Sequence, residues 1–292
     1  MNTSISSWVA GARPRTLPAA LTPILAGSAA AVAVERPNWP IALLCLLIAV
    51  ALQVGVNYAN DYSDGVRGTD DERVGPVRLV ASGLASPGKV KAAAFLSFGV
   101  AAVAGLAAVA LTGHWWLVLV GVVCILAAWF YTGGNMPYGY LGLGELMVFI
   151  FFGLVATVGT TYLMSGTAPL AAWAGGTSVG ALASAILVAN NIRDIPSDLA
   201  SGKLTLPARM GDRNARIFYA VLCGVAVLGI VAFAALTTWA ALIAALSLGL
   251  LIEPLRRVLG GAQGRDLIPV IASTGFAGIG LGLGLLVGVY LG

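Results

Sequence analysis

Nine times along the chain, an apolar run of roughly bilayer-spanning length passes with at most one charged residue in it. The runs cover residues 16–34, 41–60, 92–111, 115–132, 143–164, 173–192, 216–236, 238–253 and 267–291. About 20 apolar residues cross the hydrocarbon layer as a helix, and in lipid a repeatedly crossing backbone must satisfy its own hydrogen bonds. The sequence therefore predicts an all-α, polytopic integral membrane helical bundle of nine transmembrane helices, one domain over residues 1–292, with cytoplasmic cap loops. Charged residues make up 10% of the chain and hydrophobic ones 59%, against roughly 25% charged in a soluble domain. The tightest connection lies at Thr237-Thr238-Trp239. If that turn failed, the count would drop to eight and the C-terminus would change sides.

Charge placement supports the odd count. With the N-terminus inside, every lysine and arginine except Arg36 falls in a cytoplasmic loop or at a cytoplasmic helix end, as the positive-inside rule requires. The C-terminus is then outside, and the expected location is the cell's inner (plasma) membrane. Trp39, Trp115, Trp116, Trp173 and Trp239 fall at outer ends and Trp8 and Trp129 near the inner side, forming interfacial belts. The net charge of +4 follows from this topology, with no basic run of the kind that reads nucleic acid. Pro14, Pro18 and Pro23 interrupt the first apolar run, which reads as a span and not as a cleaved leader. Cys45, Cys124 and Cys223 lie in separate spans, and the lone His114 lies in an outer turn. Neither a disulfide framework nor histidine catalysis on the inner side fits that distribution.

Two acidic motifs with one spacing end two of the spans. Asn60-Asp61-Tyr62-Ser63-Asp64 runs on to Gly68, and Asp194-Ile195-Pro196-Ser197-Asp198 to Gly202-Lys203. Both follow [N/D]-x3-D-x3-G, and on a helix residues four apart share a face. Each motif thus offers two oxygen ligands side by side: Asn60 with Asp64, and Asp194 with Asp198. The topology puts both at the cytoplasmic rim. Their repetition suggests an internal duplication relating spans one to four to spans five to eight.

Carboxylates at a membrane-embedded helix end are costly unless paired or metal-bound. Hard oxygen donors without His or Cys point to Mg²⁺, which takes a few carboxylates plus substrate phosphates. Two such pairs, facing each other, suit two Mg²⁺ ions and a diphosphate. Arg67 and Lys203, beside the motif glycines, are candidate phosphate ligands, followed by Arg73 and Arg78; all four also serve topology. A metal-bound diphosphate in an apolar bundle implies a lipid tail, and an allylic polyprenyl diphosphate fits. Loss of its diphosphate leaves an allylic cation, which aromatic faces stabilise. Tyr131, Tyr138 and Tyr140, in the uncharged loop at 133–142 or just before it, are candidates for that role and interfacial anchors in the alternative. Residues 203–216 are expected to form a short amphipathic helix capping the site.

With these motifs the chain resembles the UbiA superfamily of intramembrane prenyltransferases along essentially its whole length. Several stretches resemble the branch that prenylates 1,4-dihydroxy-2-naphthoate: Arg13-Pro14-Arg15-Thr16-Leu17-Pro18, Gly75-Pro76-Val77-Arg78, and Tyr131-Thr132-Gly133-Gly134 through Pro137-Tyr138-Gly139-Tyr140 to Gly144-Glu145. The resemblance implies metal roles for Asn60, Asp64, Asp194 and Asp198, an accessory catalytic role for Asp61, and Mg²⁺ as cofactor. The implied reaction joins a polyprenyl group from its diphosphate to the naphthoate with loss of CO₂ and diphosphate, giving demethylmenaquinone. Arg13, Arg15, Glu145 and Asn190 are then candidates for holding the acceptor. Many relatives carry an aspartate where this chain has Gly68, which leaves Asp70 or Asp71 as a substitute. Two alternatives stay open: a sister enzyme with another acceptor (4-hydroxybenzoate, homogentisate or haem), and a cation-coupled transporter.

Overall fold

A computed structural model describes residues 4–68 and 78–292, with the side chain of Arg15 also outside the described set. Residues Asp70, Asp71 and Arg73, singled out from the sequence, lie outside the described residues. Among those described, six helices are long and apolar enough to cross a membrane. The chain is therefore a multi-pass integral membrane protein.

A short α1 (Ile5–Gly11) precedes α2 (Pro18–Ala33) and the long α3 (Trp39–Arg67), whose N-terminus is capped by the Asn38 side chain, which accepts from the Ile41 N–H. α4 (Pro87–Thr112) and α5 (Leu117–Phe130) follow. The next crossing, Gly144–Ser165, is one helix in three parts: α6 (Gly144–Val148), a π turn (Phe149–Val155) and α7 (Ala156–Ser165). α8 (Leu170–Ala200) is the most deeply buried of the six long helices. The expected cap helix at 203–216 divides instead. α9 (Leu206–Met210) ends at Gly211, whose φ of 78° breaks the run, and α10 (Asp212–Leu236) starts a new crossing. A 3-10 helix (Trp239–Leu251) leads into α11 (Ile252–Leu259), and α12 (Leu267–Leu291) ends the bundle. Among the described residues, an apolar helical segment overlaps each of the nine expected runs, but six have the length of a crossing and α2, α5 and Trp239–Leu251 fall short of it.

Small residues set the spacing, as expected where lipid gives no hydrophobic drive between helices. The buried core is dominated by alanine, while leucines and valines such as Leu96, Val103, Leu119 and Leu246 point outward into lipid. α3 packs chiefly on α4, and α8 on α10, the pairing a duplication predicts. α12 seals the second half, lying against α2, α8 and the 3-10 helix. Gly280, Gly284 and Gly288 meet Ser247, Ala244 and Ala241, and a β-carbon on either of the last two glycines would overlap the facing Cα. Glycines four apart on an α-helix rise about 6 Å per step, and residues three apart on a 3-10 helix rise the same about 6 Å. The two helices therefore stay in register at every step, which accounts for an unusually long 3-10 run.

Candidate active site

α2, α3, α4, α5, the π turn, α7 and α8 enclose a cavity of about 530 Å³, within the range of small-molecule sites. Its walls are mostly Leu, Val, Ile and Ala, with Phe151 and Phe152 supplied by the π turn. Asn60, Asp64, Arg78, Asn190, Asn191 and Lys203 gather at the end where α3 and α8 carry the acidic motifs. The other end is apolar. α5 packs lightly on α3 and α4 and makes no comparable contact with the Gly144–Ser165 helix, although both line the cavity.

On α3, Asn60 and Asp64 share the cavity face as their spacing predicts. Thr132 donates its hydroxyl to Asn60 Oδ1 at 2.8 Å, and Tyr140 donates to Asp64 Oδ1 at 2.7 Å. Arg78 Nη2 lies 3.9 Å from Asp64 Oδ2. Gly68 closes the helix in the left-handed region, its N–H bonded to the Asp64 carbonyl. The motif's glycine is thus a helix cap, and Gly202 after α8 has nearly the same φ (73°).

Asp61 has a different job from the one its motif implied. It is fully buried, and its two oxygens accept from the Leu79 and Val80 N–H groups at 2.8 and 3.0 Å. The carboxylate pins the chain at Leu79 and Val80 to α3 and does not line the cavity. Arg67 is likewise corrected: its guanidinium donates to the carbonyls of Thr132 and Gly134, tying α3 to the following loop.

On α8, Arg193 grips both oxygens of Asp194 at 2.7 Å and reaches Asn190 Oδ1 at 2.8 Å. Asp198 accepts from the Thr205 hydroxyl at 3.2 Å, with Lys203 Nζ 3.9 Å away. Tyr140 joins the halves. Its ring faces both Arg67 (5.4 Å) and Lys203 (5.1 Å) while its phenol holds Asp64. Tyr131 and Tyr138 line the cavity edge-to-face, 5.5 Å apart. Tyr138 is pinned through its hydroxyl to the Ala127 carbonyl at 2.7 Å, and burial pushes its phenol above the ordinary value, keeping it a donor.

Of the acceptor candidates, Arg13 and Asn190 reach the cavity. Arg13 does so from a left-handed backbone (φ 54°), a strained conformation for a non-glycine residue. Glu145, 3% exposed, stands behind the wall: its Oε1 accepts from Asn191 at 2.8 Å, so it orients a cavity residue and does not line the cavity itself. Thr132, Arg193 and Thr205 were not singled out as site residues from the sequence. Arg193 alone carried a signal, its place next to Asp194.

Among the described residues, no three acidic, histidine or cysteine side chains form a metal cage. The donors come instead as two pairs of hard oxygens: Asn60 and Asp64 line the cavity, while Asp194 and Asp198 stand behind Asn190, Asn191 and Lys203, held by Arg193, Thr205 and Lys203. That set fits Mg²⁺, which keeps waters and completes its shell with substrate phosphates. It does not fit a closed site for a soft metal.

The sequence pattern of the UbiA prenyltransferase family matches residues 20–266. The chain belongs to that family. It is 49% identical over 281 residues to the 1,4-dihydroxy-2-naphthoate octaprenyltransferase of Mycobacterium tuberculosis (strain ATCC 25618 / H37Rv), covering 94% of this chain and 93% of that one. Its identity to the protein of the same name from Escherichia coli (strain K12) is 40% over 222 residues, covering 74% of this chain and 72% of that one. The fold resembles that of a UbiA homolog from Aeropyrum pernix K1, with a TM-score of 0.73 at 18% identity, covering 92% and 97% of the two chains. A UbiA homolog from Archaeoglobus fulgidus, solved with DMAPP and Mg²⁺, superposes with a TM-score of 0.65 at 16% identity, covering 96% and 99%. Family membership makes the chain a prenyltransferase and sets the transporter aside.

Proposed function

We propose that this chain transfers a polyprenyl group from its diphosphate to 1,4-dihydroxy-2-naphthoate, releasing diphosphate and CO₂ and forming demethylmenaquinol, the reduced form of demethylmenaquinone, in menaquinone biosynthesis. The observation that carries the reading is a single cavity with an acidic and basic rim at one end and an apolar remainder. It is supported by relatives named for this reaction over most of the chain's length.

Asn60, Asp64, Asp194 and Asp198 would hold Mg²⁺, with two ions as the expected number. When bound, the metal neutralises charge on the departing diphosphate. Arg78 and Lys203 line the same rim and meet phosphate oxygens, adding charge-assisted hydrogen bonds as the C–O bond breaks. Diphosphate arrival draws Arg193 off Asp194, since a guanidinium on both carboxylate oxygens competes with a metal. Tyr131 and Tyr138 face the cavity below the rim, where their rings stabilise the allylic cation and the apolar walls exclude water. Arg13, at the cavity edge, is the partner for the acceptor's carboxylate. The ring carbon attacks the prenyl C1, and loss of CO₂ restores the aromatic system without a strong base.

The whole chain acts as one domain crossing the plasma membrane nine times, with the N-terminus and site cytoplasmic and the C-terminus outside. The test offers purified protein labelled polyprenyl diphosphate, Mg²⁺ and either dihydroxynaphthoate or 4-hydroxybenzoate. A decarboxylated prenyl-naphthoquinol, or the quinone that air makes of it, supports the assignment. A product with hydroxybenzoate alone would keep the family and replace the acceptor.

A further inference from the structure

Beneath the acidic rim, α3 carries a second polar pair on the cavity face. Gln53 and Asn57 extend the stripe of Asn60 and Asp64 at spacings of four, three and four residues. Along the helix they lie about 10 and 4.5 Å below Asn60. Both are buried, Gln53 being 6% exposed.

Their hydrogen bonds leave one atom over. Thr16 donates its hydroxyl to the Arg13 carbonyl at 2.9 Å, so its lone pairs are free to accept. They accept from Gln53 Nε2 at 3.0 Å and Asn57 Nδ2 at 2.9 Å. Asn57 Nδ2 also donates to the Ala12 carbonyl at 2.9 Å, and Asn57 Oδ1 takes the second Gln53 N–H at 3.4 Å. The Gln53 amide cannot be turned over, because its oxygen would then face the Thr16 lone pairs and the Asn57 carbonyl. Gln53 Oε1 is therefore a fixed, buried acceptor, without a donor among the described residues. A buried acceptor is costly to leave unmatched, and this one belongs to a residue of the cavity wall.

The ligand that completes it must bring an O–H or N–H group to that depth. A hydrocarbon tail brings none, and an ionised diphosphate brings acceptors. A hydroxylated aromatic ring lying beneath the diphosphate does. We infer that Gln53 Oε1 receives the hydrogen bond of a ring hydroxyl of the prenyl acceptor, so that the Thr16–Asn57–Gln53 network orients the acceptor and selects for hydroxylated rings. The bond would also push electron density from that oxygen into the ring, favouring attack by carbon on the prenyl C1. The inference rests on the functional reading above.

The test uses full-length protein in detergent and reads binding as well as turnover. Inhibition constants are measured for 2-naphthoate and for its 1-hydroxy and 4-hydroxy derivatives, alongside KM for both substrates. One monohydroxy compound is expected to bind wild type about tenfold more tightly than 2-naphthoate. Gln53→Leu is expected to erase that preference and raise the naphthoate KM about tenfold, leaving the prenyl diphosphate KM within about twofold. A hydroxyl preference that survives Gln53→Leu would overturn the inference, as would its absence in wild type or a parallel rise of both KM values. If the leucine variant does not fold, Gln53→Met, of similar length, carries the same comparison. Failure of wild type to prenylate dihydroxynaphthoate would instead overturn the functional reading. The comparison would then be repeated with whichever hydroxylated acceptor is turned over.

Discussion

The two halves of the bundle repeat a motif but not its surroundings. In the second half, α8 is buried on most sides and α12 locks the 3-10 helix through glycines that leave no room for a side chain. In the first half, the equivalent fourth crossing, α5, has a single buried residue, Ala128, and its glycine at 121 meets nothing within 4 Å. α12 and the crossing it braces form a frame, whereas α5 is the loose wall of a chamber that both halves line.

The acidic pairs are where the halves should be most alike. Asp64→Ala and Asp198→Ala are each expected to lower prenyl transfer at least about a hundredfold with the fold retained, because each removes a charged group from the diphosphate rim. Turnover of labelled substrate by purified variants measures this, and retention of a tenth of wild-type activity by both would break the equivalence. The next largest effect should separate the halves. Gly288→Leu drives a side chain into the Ala241 backbone and should cost about 3 kcal/mol or prevent folding. Gly121→Leu should leave the melting temperature in detergent nearly unchanged while reducing activity, since its side chain enters the cavity. Equal thermal shifts for the two would erase the distinction between frame and chamber.

A smaller difference lies within the motifs. Asp61 has Ile195 as its counterpart, so Asp61→Asn is expected to lower stability by about 1–3 kcal/mol by leaving a buried backbone N–H without its acceptor. Thermal unfolding checks it; an activity loss as deep as that of Asp64→Ala with unchanged stability would restore Asp61 to the chemistry. The smallest effect belongs to Tyr140→Phe, which removes the phenol's hydrogen bond to Asp64 but keeps the ring between Arg67 and Lys203. A several-fold fall in kcat at saturating Mg²⁺ is expected, corresponding to about 1 kcal/mol. No change in kcat would mean that the tyrosine joins the halves through its ring alone.

Hydropathy made the crossings legible because it reports what lipid requires of a helix, and the paired carboxylates were legible because isolated charge is expensive there. Side-chain partners were not. Asp61 reads as an accessory catalytic residue until Leu79 and Val80 are seen to give it two N–H groups. Arg67 reads as a phosphate ligand until two carbonyls of the 132–134 turn claim it. Glu145 sits in sequence at the inner end of a span, but its carboxylate turns toward Asn191 and away from the cavity. Gln53 and Asn57 lie inside an apolar run and look like tolerated polar residues, since their meaning comes from Thr16, 37 and 41 positions away. The 3-10 winding of Trp239–Leu251 has no local signature at all. It is dictated by the glycines of a helix that begins beyond it.

That winding has a consequence for the membrane. Thirteen residues coiled as an α-helix reach about 20 Å, well short of a hydrocarbon layer of about 30 Å. At the 3-10 rise they reach about 26 Å. The glycine ladder of α12 therefore works as a ruler, holding its neighbour stretched to suit the bilayer. It sets the thickness that this side of the protein presents to lipid, and with it the level at which the acidic rim rides against the headgroups.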